Sequence, residues 1–182
     1  RLPFDGVGLH PYPNESLPRS QWLEDTLGLV RGIGDVMAQR TDSGKIWITE
    51  IGIKASPASA PVAAATTDES FQASWLRDFY TALTGATCSR VARAFWFKYE
   101  DFPPENGSNM PWGLVHLEQA GDEYAPDGAV QRVKPGYGVF HDLAYTAAST
   151  WYFAEGYTGA GFDEYLTIQN PGSSAATVAI TY

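Results

Sequence analysis

The sequence predicts an α/β fold in which parallel strands alternate with helices. Three observations point to this fold. Short apolar runs rich in β-branched residues recur along residues 1–147, bounded by Pro or Gly. Stripes of apolar residues at three- and four-residue spacing lie between these runs and indicate helices. The strands are apolar almost throughout, which is typical of a parallel sheet buried on both faces.

The first predicted strand and helix lie in the amino-terminal part of the chain. The stretch Asp5–His10 follows a proline and has Val7 and Leu9 as its apolar residues, which predicts a short buried strand. We expect Ser20 to cap the helix that follows, because a serine hydroxyl can accept a hydrogen bond from an unpaired backbone N–H of the first turn. The apolar stripe of this helix consists of Leu23, Leu27, Val30, Ile33 and Met37.

A second strand and helix repeat this pattern. Lys45–Ile51 is rich in β-branched residues and stops at Gly52, so it predicts a strand. After a loop rich in Pro, Ala and Ser, the residues Thr66 and Glu69 have capping-box spacing and predict the start of a helix. The apolar stripe of this second helix consists of Phe71, Trp75, Phe79 and Leu83.

The third unit contains a long excursion. A strand is predicted over Val91–Tyr99, and Pro135 is expected to open a helix because proline suits the first helical position. Residues 100–133 between them are rich in Pro, Gly and Asn. The resulting order, β-α-β-α-β-α, fits a doubly wound sheet or a TIM barrel. A complete barrel has eight such units in roughly 250 residues, so residues 1–147 would be its C-terminal part, about strands six to eight.

Residues 148–182 differ in character from the rest. They are aromatic and turn-rich, and Ala176–Tyr182 alternates with a period of two, which predicts strands. Both ends of the sequence look cut, so we expect a fragment made of a barrel part, 1–147, and the first strands of a β-sandwich domain, 148–182. The stretches Trp151–Gly156 and Phe162–Gly172 resemble β-sandwich modules of secreted or surface proteins of soil bacteria. This resemblance implies a secreted or cell-surface bacterial protein.

The composition excludes several classes of function. The chain has 182 residues, with 12 Lys and Arg against 21 Asp and Glu, and a net charge of −9. A chain without a basic cluster does not suit nucleic acid or an anionic membrane, and no apolar stretch approaches the roughly 20 residues of a membrane span. The three His residues lack ligand spacing, Cys88 is the single cysteine, and nucleotide-binding glycine loops are absent. We therefore expect no metal and no cofactor, and a neutral or cationic ligand.

Polar and aromatic residues stand at the predicted carboxyl ends of all three strands. His10 and Tyr12 follow the first strand, Glu50 ends the second, and Trp96 and Lys98 lie at the end of the third. In parallel α/β folds these ends meet at one edge, where the reactive groups gather. We therefore expect these five side chains to lie close together.

Side-chain alternation along the strands supports this grouping. Residues two apart share a face, so His10, Glu50 and Trp96 would point to the same side, above small or branched apolar residues. The aromatic residues of opposite parity would then pack under the helices; they are Trp47, Phe95 and Phe97.

The motifs at these strand ends resemble those of clan A glycoside hydrolases, which are retaining enzymes on a (β/α)8 barrel, such as families five, thirty-nine and fifty-three. Trp47–Gly52, with the sequence WITEIG, resembles the seventh-strand motif of that clan. Asp5–Tyr12 resembles the sixth strand and Ala94–Phe97 the eighth. Gly113–Leu114 and Lys134–Tyr137 resemble the turn and the helix start with which such barrels end.

The resemblance implies hydrolysis of β-glycosidic bonds in poly- or oligosaccharides with Glu50 as the nucleophile. Retaining hydrolysis needs a second carboxyl group, an acid/base, about 5–5.5 Å away. In the clan it is a Glu that follows an Asn at the end of the fourth strand, whereas Asn14–Glu15 lies in a loop after the first strand of this chain. We therefore expect the acid/base upstream of Arg1 and the fragment alone to be inactive. The plainer interpretation is that Glu50 pairs with a cation such as Lys98.

The resemblance also implies carbohydrate contacts for the neighbouring residues. His10 and Tyr12 would position the nucleophile, and Trp96 would form the floor of the sugar subsite. Trp112 and Asp101, in the long excursion, are candidates for outer subsites. The complete set of expected substrate-binding residues is His10, Tyr12, Trp96, Lys98 and Trp112.

Two alternatives remain open from the sequence. A non-catalytic glycan-binding or surface-display protein on a degenerate barrel would keep Trp96 and lack the acid/base. A doubly wound α/β protein of unrelated function would carry glycine-rich ligand loops at its strand ends. The sequence lacks such loops, which favours the barrel interpretation.

Overall fold

The computed structural model describes residues 6–57, 67–105, 108–120, 123–124 and 129–147, together with residue 177. The chain divides into two compact units, Arg1–Thr150 and Trp151–Tyr182. Apart from residue 177, the second of the two predicted domains, 148–182, lies outside the described residues.

The described part of the first unit consists of three helices and eleven strands. The helices are α1 (Trp22–Gln39), α2 (Glu69–Leu83) and α3 (Pro135–Ala147), with short 3-10 turns at Arg19–Gln21 and Ala86–Cys88. The strands are β1 (Gly6–Leu9), β2 (Lys45–Ile51), β3 (Ala55–Ser56), β4 (Thr67–Asp68), β5 (Val91–Trp96), β6 (Phe102–Glu105), β7 (Ser108–Met110), β8 (Val115–Leu117), β9 (Gln119–Ala120), β10 (Glu123–Tyr124) and β11 (Val130–Val133).

A parallel sheet of β1, β2 and β5 forms the centre of this unit, with β2 in the middle. Gly6 pairs with Lys45 and Leu9 with Ile48, and both strand pairs run parallel. Helix α1 connects β1 to β2, and α2 lies between β2 and β5 in the chain. The predicted alternation of parallel strands with helices is confirmed for these elements.

The hydrophobic core lies between this sheet and helices α1 and α2. Ile48 and Phe79 are completely buried, and burial of each such side chain contributes about 1.5–3 kcal/mol. The core cluster comprises Trp22, Leu27, Val30, Met37, Ile46, Ile48, Ile51, Ile53, Trp75, Phe79 and Cys88. Helices α1 and α2 thus pack on the sheet through this shared cluster.

The helix ends differ from two of the predictions. Ser20 lies in the 3-10 turn before α1, and the residue that caps α1 is Gln21, without a side-chain hydrogen bond. Helix α2 is capped by Asp68, whose side chain accepts a hydrogen bond from the Phe71 N–H at 2.8 Å. Thr66 lies outside the described residues. Asp68 therefore acts as the N-cap of α2, the role that the capping-box prediction gave to Thr66.

The predicted side-chain alternation is wrong for β2 and β5. Ile48 and Ile51 both belong to the core cluster although they are three residues apart, and the pairing of β2 with β5 is irregular between them. This bulge breaks the two-residue period, so that Glu50 is no longer in phase with Ile48. Trp96 pairs with Ile51 and its ring lies 6.2 Å from that of Trp75 on α2. Trp96 therefore packs against the helix-covered core, not beside Glu50.

The described residues of the excursion after β5 form short antiparallel strand pairs. Three such pairs occur among them: β6 with β7, β9 with β10, and β8 with β11. Lys134 N donates to Leu114 O at 2.9 Å just before α3, which begins at Pro135 as predicted. The chain thus returns to the sheet before α3 begins, and α3 packs on α2.

Candidate active site

Glu50 lies near the carboxyl end of β2, next to the end of β1. Its side chain is 33% exposed. The Tyr12 hydroxyl donates a hydrogen bond to Glu50 Oε2 at 3.0 Å, and His10 Nδ1 lies 3.5 Å from the same oxygen. His10 Nε2 is also 2.9 Å from Thr49 Oγ1. Two consecutive residues of β2 are thus tied to the segment that follows β1.

The Tyr12 hydroxyl is a persistent hydrogen-bond donor. Its pKa is raised above the ordinary value, first by burial, then by the hydrogen bond to Glu50 and the negative charge of that carboxylate. A phenol with a raised pKa stays protonated at neutral pH, so Tyr12 orients Glu50 without neutralising it. Among the described residues, the contacts of Glu50 with Tyr12 and His10 are both made by Oε2, and Oε1 contacts neither of these two side chains.

Tyr12, Phe97 and Trp112 form an aromatic wall beside Glu50. The Trp112 ring lies 5.4 Å from that of Tyr12 and 5.9 Å from that of Phe97, both at an edge-to-face angle of 73°. Such pairs add about 0.5–1.5 kcal/mol beyond their buried area. The wall presents ring surface of the kind that packs against apolar sugar faces.

Gly52 allows the two strand ends to come together behind this wall. A Cβ atom at Gly52 would lie 2.1 Å from Phe97 O and 3.4 Å from a ring carbon of Trp112. Phe97 N donates to Ile51 O at 2.7 Å, and the peptide bond between Phe97 and Lys98 is cis. Glycine is therefore required where the WITEIG motif ends.

Two lysines near the wall are held by glutamates. Lys54 Nζ is 3.3 Å from Glu15 and lies over the Trp112 ring, 5.3 Å from its centroid. Lys98 Nζ is 2.7 Å from Glu100. The interpretation in which Lys98 neutralises Glu50 is therefore not supported, since the ion-pair partner of Lys98 is Glu100.

The structure brings together part of the predicted set. His10, Tyr12 and Glu50 meet, and Trp112 joins them through Tyr12. Trp96 faces the core, as described above. Sequence reasoning missed Phe97, which had been expected to pack under the helices, because its side was assigned relative to Glu50 and the bulge in β2 between Ile48 and Ile51 puts Glu50 out of phase with Trp96. Lys54, four residues after Glu50, was missed because a single lysine in a loop carries no pattern.

Asp101 does not contribute to an open subsite. Its side chain is 1% exposed, and Oδ1 lies 2.6 Å from Lys134 Nζ. His116 Nδ1 is 2.9 Å from the other carboxylate oxygen, Oδ2. The prediction that Asp101 faces an outer sugar subsite is wrong, because a buried ion pair occupies its carboxylate.

Within the residues that the structure describes, no group of three or more His, Cys, Asp or Glu residues is arranged to hold a metal ion. None of the helices in that part of the chain is both long and apolar enough to cross a bilayer.

Comparison with known proteins links this fold to glycosidases. No family model and no curated protein matches the chain. A β-glucuronidase from Ruminococcus gnavus in complex with uronic isofagomine matches with a TM-score of 0.54 at 16% identity, over 79% of this chain and 22% of that one. A GH2 β-galacturonidase from Eisenbergiella tayi bound to galacturonate has a TM-score of 0.51 at 16% identity, over 81% and 25%. The chain has a glycosidase-like fold.

This likeness concerns the fold alone, because the identities are low. A β-D-glucuronidase from Dictyoglomus thermophilum matches with a TM-score of 0.50 at 13% identity, over 81% of this chain and 23% of that one. The chain thus spans about a quarter or less of each of these glycosidases.

Proposed function

We propose that this chain is the C-terminal part of a retaining β-glycosidase, with Glu50 as its nucleophile. The observation that carries the proposal is the position of Glu50: at a strand end, one-third exposed, and oriented by Tyr12 and His10 from the neighbouring strand. The glycosidase-like fold supports it. In this proposal β1, β2 and β5 are about strands six to eight of a (β/α)8 barrel.

The proposed reaction has two displacements. A Glu50 oxygen forms a bond to the anomeric carbon while the bond to the leaving oxygen breaks, and an acid/base carboxyl group protonates that oxygen. Water, deprotonated by the same group, then displaces Glu50 and releases the sugar with its original configuration. We place the acid/base outside this chain, so the chain alone would be inactive. Glu15, the sequence candidate after an Asn, is engaged with Lys54.

Each residue around Glu50 has a task in this reaction. Tyr12 donates a hydrogen bond to Oε2 and keeps the carboxylate turned towards the open side. His10 supports both Glu50 and Thr49. The aromatic wall of Tyr12, Phe97 and Trp112 would pack against the sugar.

We propose a neutral carbohydrate as the substrate class, in line with the net charge of −9 and the aromatic wall. Uronides enter the test because the structural neighbours include β-glucuronidases and a β-galacturonidase. We further propose a secreted or cell-surface bacterial protein, on the likeness of residues 148–182 to surface modules.

The test uses the longer protein that carries this chain. It is incubated with 2-fluoro glycosyl fluorides of glucose, galactose, glucuronic acid and galacturonic acid, which trap a glycosyl-enzyme. Peptide mapping is expected to find the added mass on Glu50, and E50Q is expected to abolish it. The matched control is E24Q, the same change at an exposed Glu of α1, which is expected to label at the unchanged rate. An adduct on another carboxylate would overturn the proposal.

A non-catalytic glycan-binding role is the second candidate, favoured by the aromatic wall. It predicts no covalent adduct with any reagent and equal binding of oligosaccharides by the unmodified protein and by E50Q. The trapping experiment separates the two candidates, and isothermal titration then shows whether E50Q binds oligosaccharides as the unmodified protein does.

A further inference from the structure

A buried ion pair lies behind the loop that carries Trp112. The side chains of Lys134 and Asp101 are 0% and 1% exposed, and Nζ is 2.6 Å from Oδ1. Lys134 Nζ also donates to Ala55 O at 3.1 Å and to Pro111 O at 3.4 Å. A lysine ammonium has three N–H donors, and here all three have an acceptor. The proposed reaction uses neither of the two charged groups.

The same pair binds the backbone on both sides of Trp112. Asp101 Oδ1 accepts a hydrogen bond from Gly113 N at 2.8 Å, and Pro111 O is the acceptor for Lys134. One ion pair therefore fixes the residue before Trp112 and the residue after it.

Further contacts leave little freedom in this loop. Gln72 of α2 is buried, and its Nε2 lies 3.5 Å from Trp112 O and 3.4 Å from Gly113 O. A Cβ atom at Gly113 would lie 2.1 Å from the carbonyl carbon of Glu100 and 2.2 Å from Asp101 N. The backbone of the loop at Gly113 thus lies directly against the segment that holds Asp101.

The position of the loop determines where the Trp112 ring lies. That ring contacts Tyr12, which in turn binds Glu50. We infer that Asp101 and Lys134 are positioning residues, which hold Trp112 against Tyr12 and so shape the sugar subsite beside Glu50. The part of this inference that concerns sugar rests on the proposed function; the placement of Trp112 does not.

A second ion pair nearby offers a matched control. Arg132 donates to both oxygens of Glu69, at 2.6 and 2.7 Å. It lies two residues before Lys134 and connects β11 to the start of α2, and the hydrogen bonds of its guanidinium group go to Glu69, not to the Trp112 loop. Each pair contributes to folding in the sense that removing one partner leaves the other charge unpaired. Only the Lys134 pair contacts the loop.

The test compares two double variants of the longer protein. D101N/K134M removes both charges together, so that no unpaired charge is left buried. E69Q/R132M does the same at the control pair. Each protein is labelled with 5-fluorotryptophan, and W112F assigns the Trp112 fluorine resonance.

The Trp112 resonance is expected to shift or broaden in D101N/K134M and to stay unchanged in E69Q/R132M. The single variant D101N keeps the Lys134 donor to Pro111 O, so it is expected to shift the resonance measurably, but by less than D101N/K134M does. An unchanged Trp112 resonance in D101N/K134M would overturn the inference and leave the pair a role in stability alone. If D101N/K134M does not fold, a Trp112 resonance in D101N that equals the original would also count against it.

Trapping kinetics connect the position of Trp112 to the sugar. In D101N/K134M the reagent concentration for half-maximal labelling of Glu50 is expected to rise about three- to tenfold, which is the scale of a lost aromatic contact. The limiting rate is expected to stay within about twofold, because Glu50 and Tyr12 are untouched. If the unmodified protein is never labelled, the proposed function fails, while the fluorine spectra still decide the positioning role.

Discussion

Glu50 and Asp101 are two carboxylates that follow neighbouring parallel strands, yet their surroundings are opposite. Glu50 is 33% exposed and receives a hydrogen bond from the neutral Tyr12 hydroxyl. Asp101 is 1% exposed, and its carboxylate lies 2.6 Å from the Lys134 ammonium. Residue type and place along the chain made both of them candidates for sugar contact. Burial and the charge of the partner separate them.

The difference shows what a reactive carboxylate needs. Asp101 is buried and paired with a cation in place of water. The pair is also held by hydrogen bonds to several backbone groups. Glu50 keeps its access to solvent, and a neutral donor orients it without forming an ion pair. In the proposals above, the buried pair positions the loop and the more exposed carboxylate is the nucleophile.

The largest expected effect is on stability, when one charge is removed at each of the two carboxylate sites. K134M leaves Asp101 buried without its cation and is expected to lower the free energy of unfolding by about 3–5 kcal/mol. E50Q, at the exposed carboxylate, is expected to change it by less than about 1 kcal/mol. Urea unfolding of both variants measures this. D101N/K134M is expected to regain most of the loss, and a K134M loss below 1 kcal/mol would break the contrast.

A smaller effect is expected from the loop that joins the two regions. G113A introduces a Cβ into backbone atoms of Glu100 and Asp101 and is expected to cost about 1–3 kcal/mol. G32A, on α1, meets nothing within 4 Å and is expected to stabilise by about 0.4–1 kcal/mol. Thermal unfolding of the pair provides the measurement. If G113A left the stability unchanged, the backbone around Gly113 would be able to move enough to accept a Cβ atom.

The smallest expected effect is an alkaline one at Tyr12. Its pKa is raised in the folded protein by burial and by Glu50, so its contribution to stability is present below the unfolded pKa of about 10 and is lost as the pH rises through the folded pKa. At pH 11 an ordinary tyrosine is about 90% ionised, whereas Tyr12 is expected to remain mostly protonated. Carbon-13 NMR of the tyrosine ring carbons checks this, with Y12F for assignment.

E50Q sharpens the same alkaline measurement. Removing the negative charge of Glu50 is expected to lower the Tyr12 pKa, because one of its three causes is gone. The titration of Tyr80 serves as the reference, since its pKa is raised by burial alone. Y80F assigns its resonance. A Tyr12 titration that E50Q leaves unchanged would contradict the contact between the two side chains.

Local patterns were sufficient for most elements of the sheet and its helices. The strand Lys45–Ile51 and the start of α3 at Pro135 agree with the prediction. β-Branched runs and proline at the first helical position act through nearby atoms, so the sequence alone predicts them. Capping was less predictable, because Asp68 and Thr66 both suit an N-cap and only the path of the chain chooses between them.

The candidate site was predictable only in part. His10, Tyr12 and Glu50 follow from the rule that the carboxyl ends of parallel strands share an edge. Trp96 faces the helices and not Glu50, since the bulge in β2 between Ile48 and Ile51 puts Glu50 out of phase with the residues that pair with Ala94 and Trp96. A bulge is decided by the pairing of two strands, and neither strand encodes it alone.

The sequence by itself determined the alternating α/β architecture and the meeting of Glu50 with the residues after β1. These follow from periodicity and from the geometry of parallel strands, which act over a few residues. Only the tertiary structure decided that Trp112 joins Glu50, that Trp96 does not, and that Asp101 is buried with Lys134. Those outcomes depend on contacts between segments up to 100 residues apart, and on how much water each charge keeps when the segments pack.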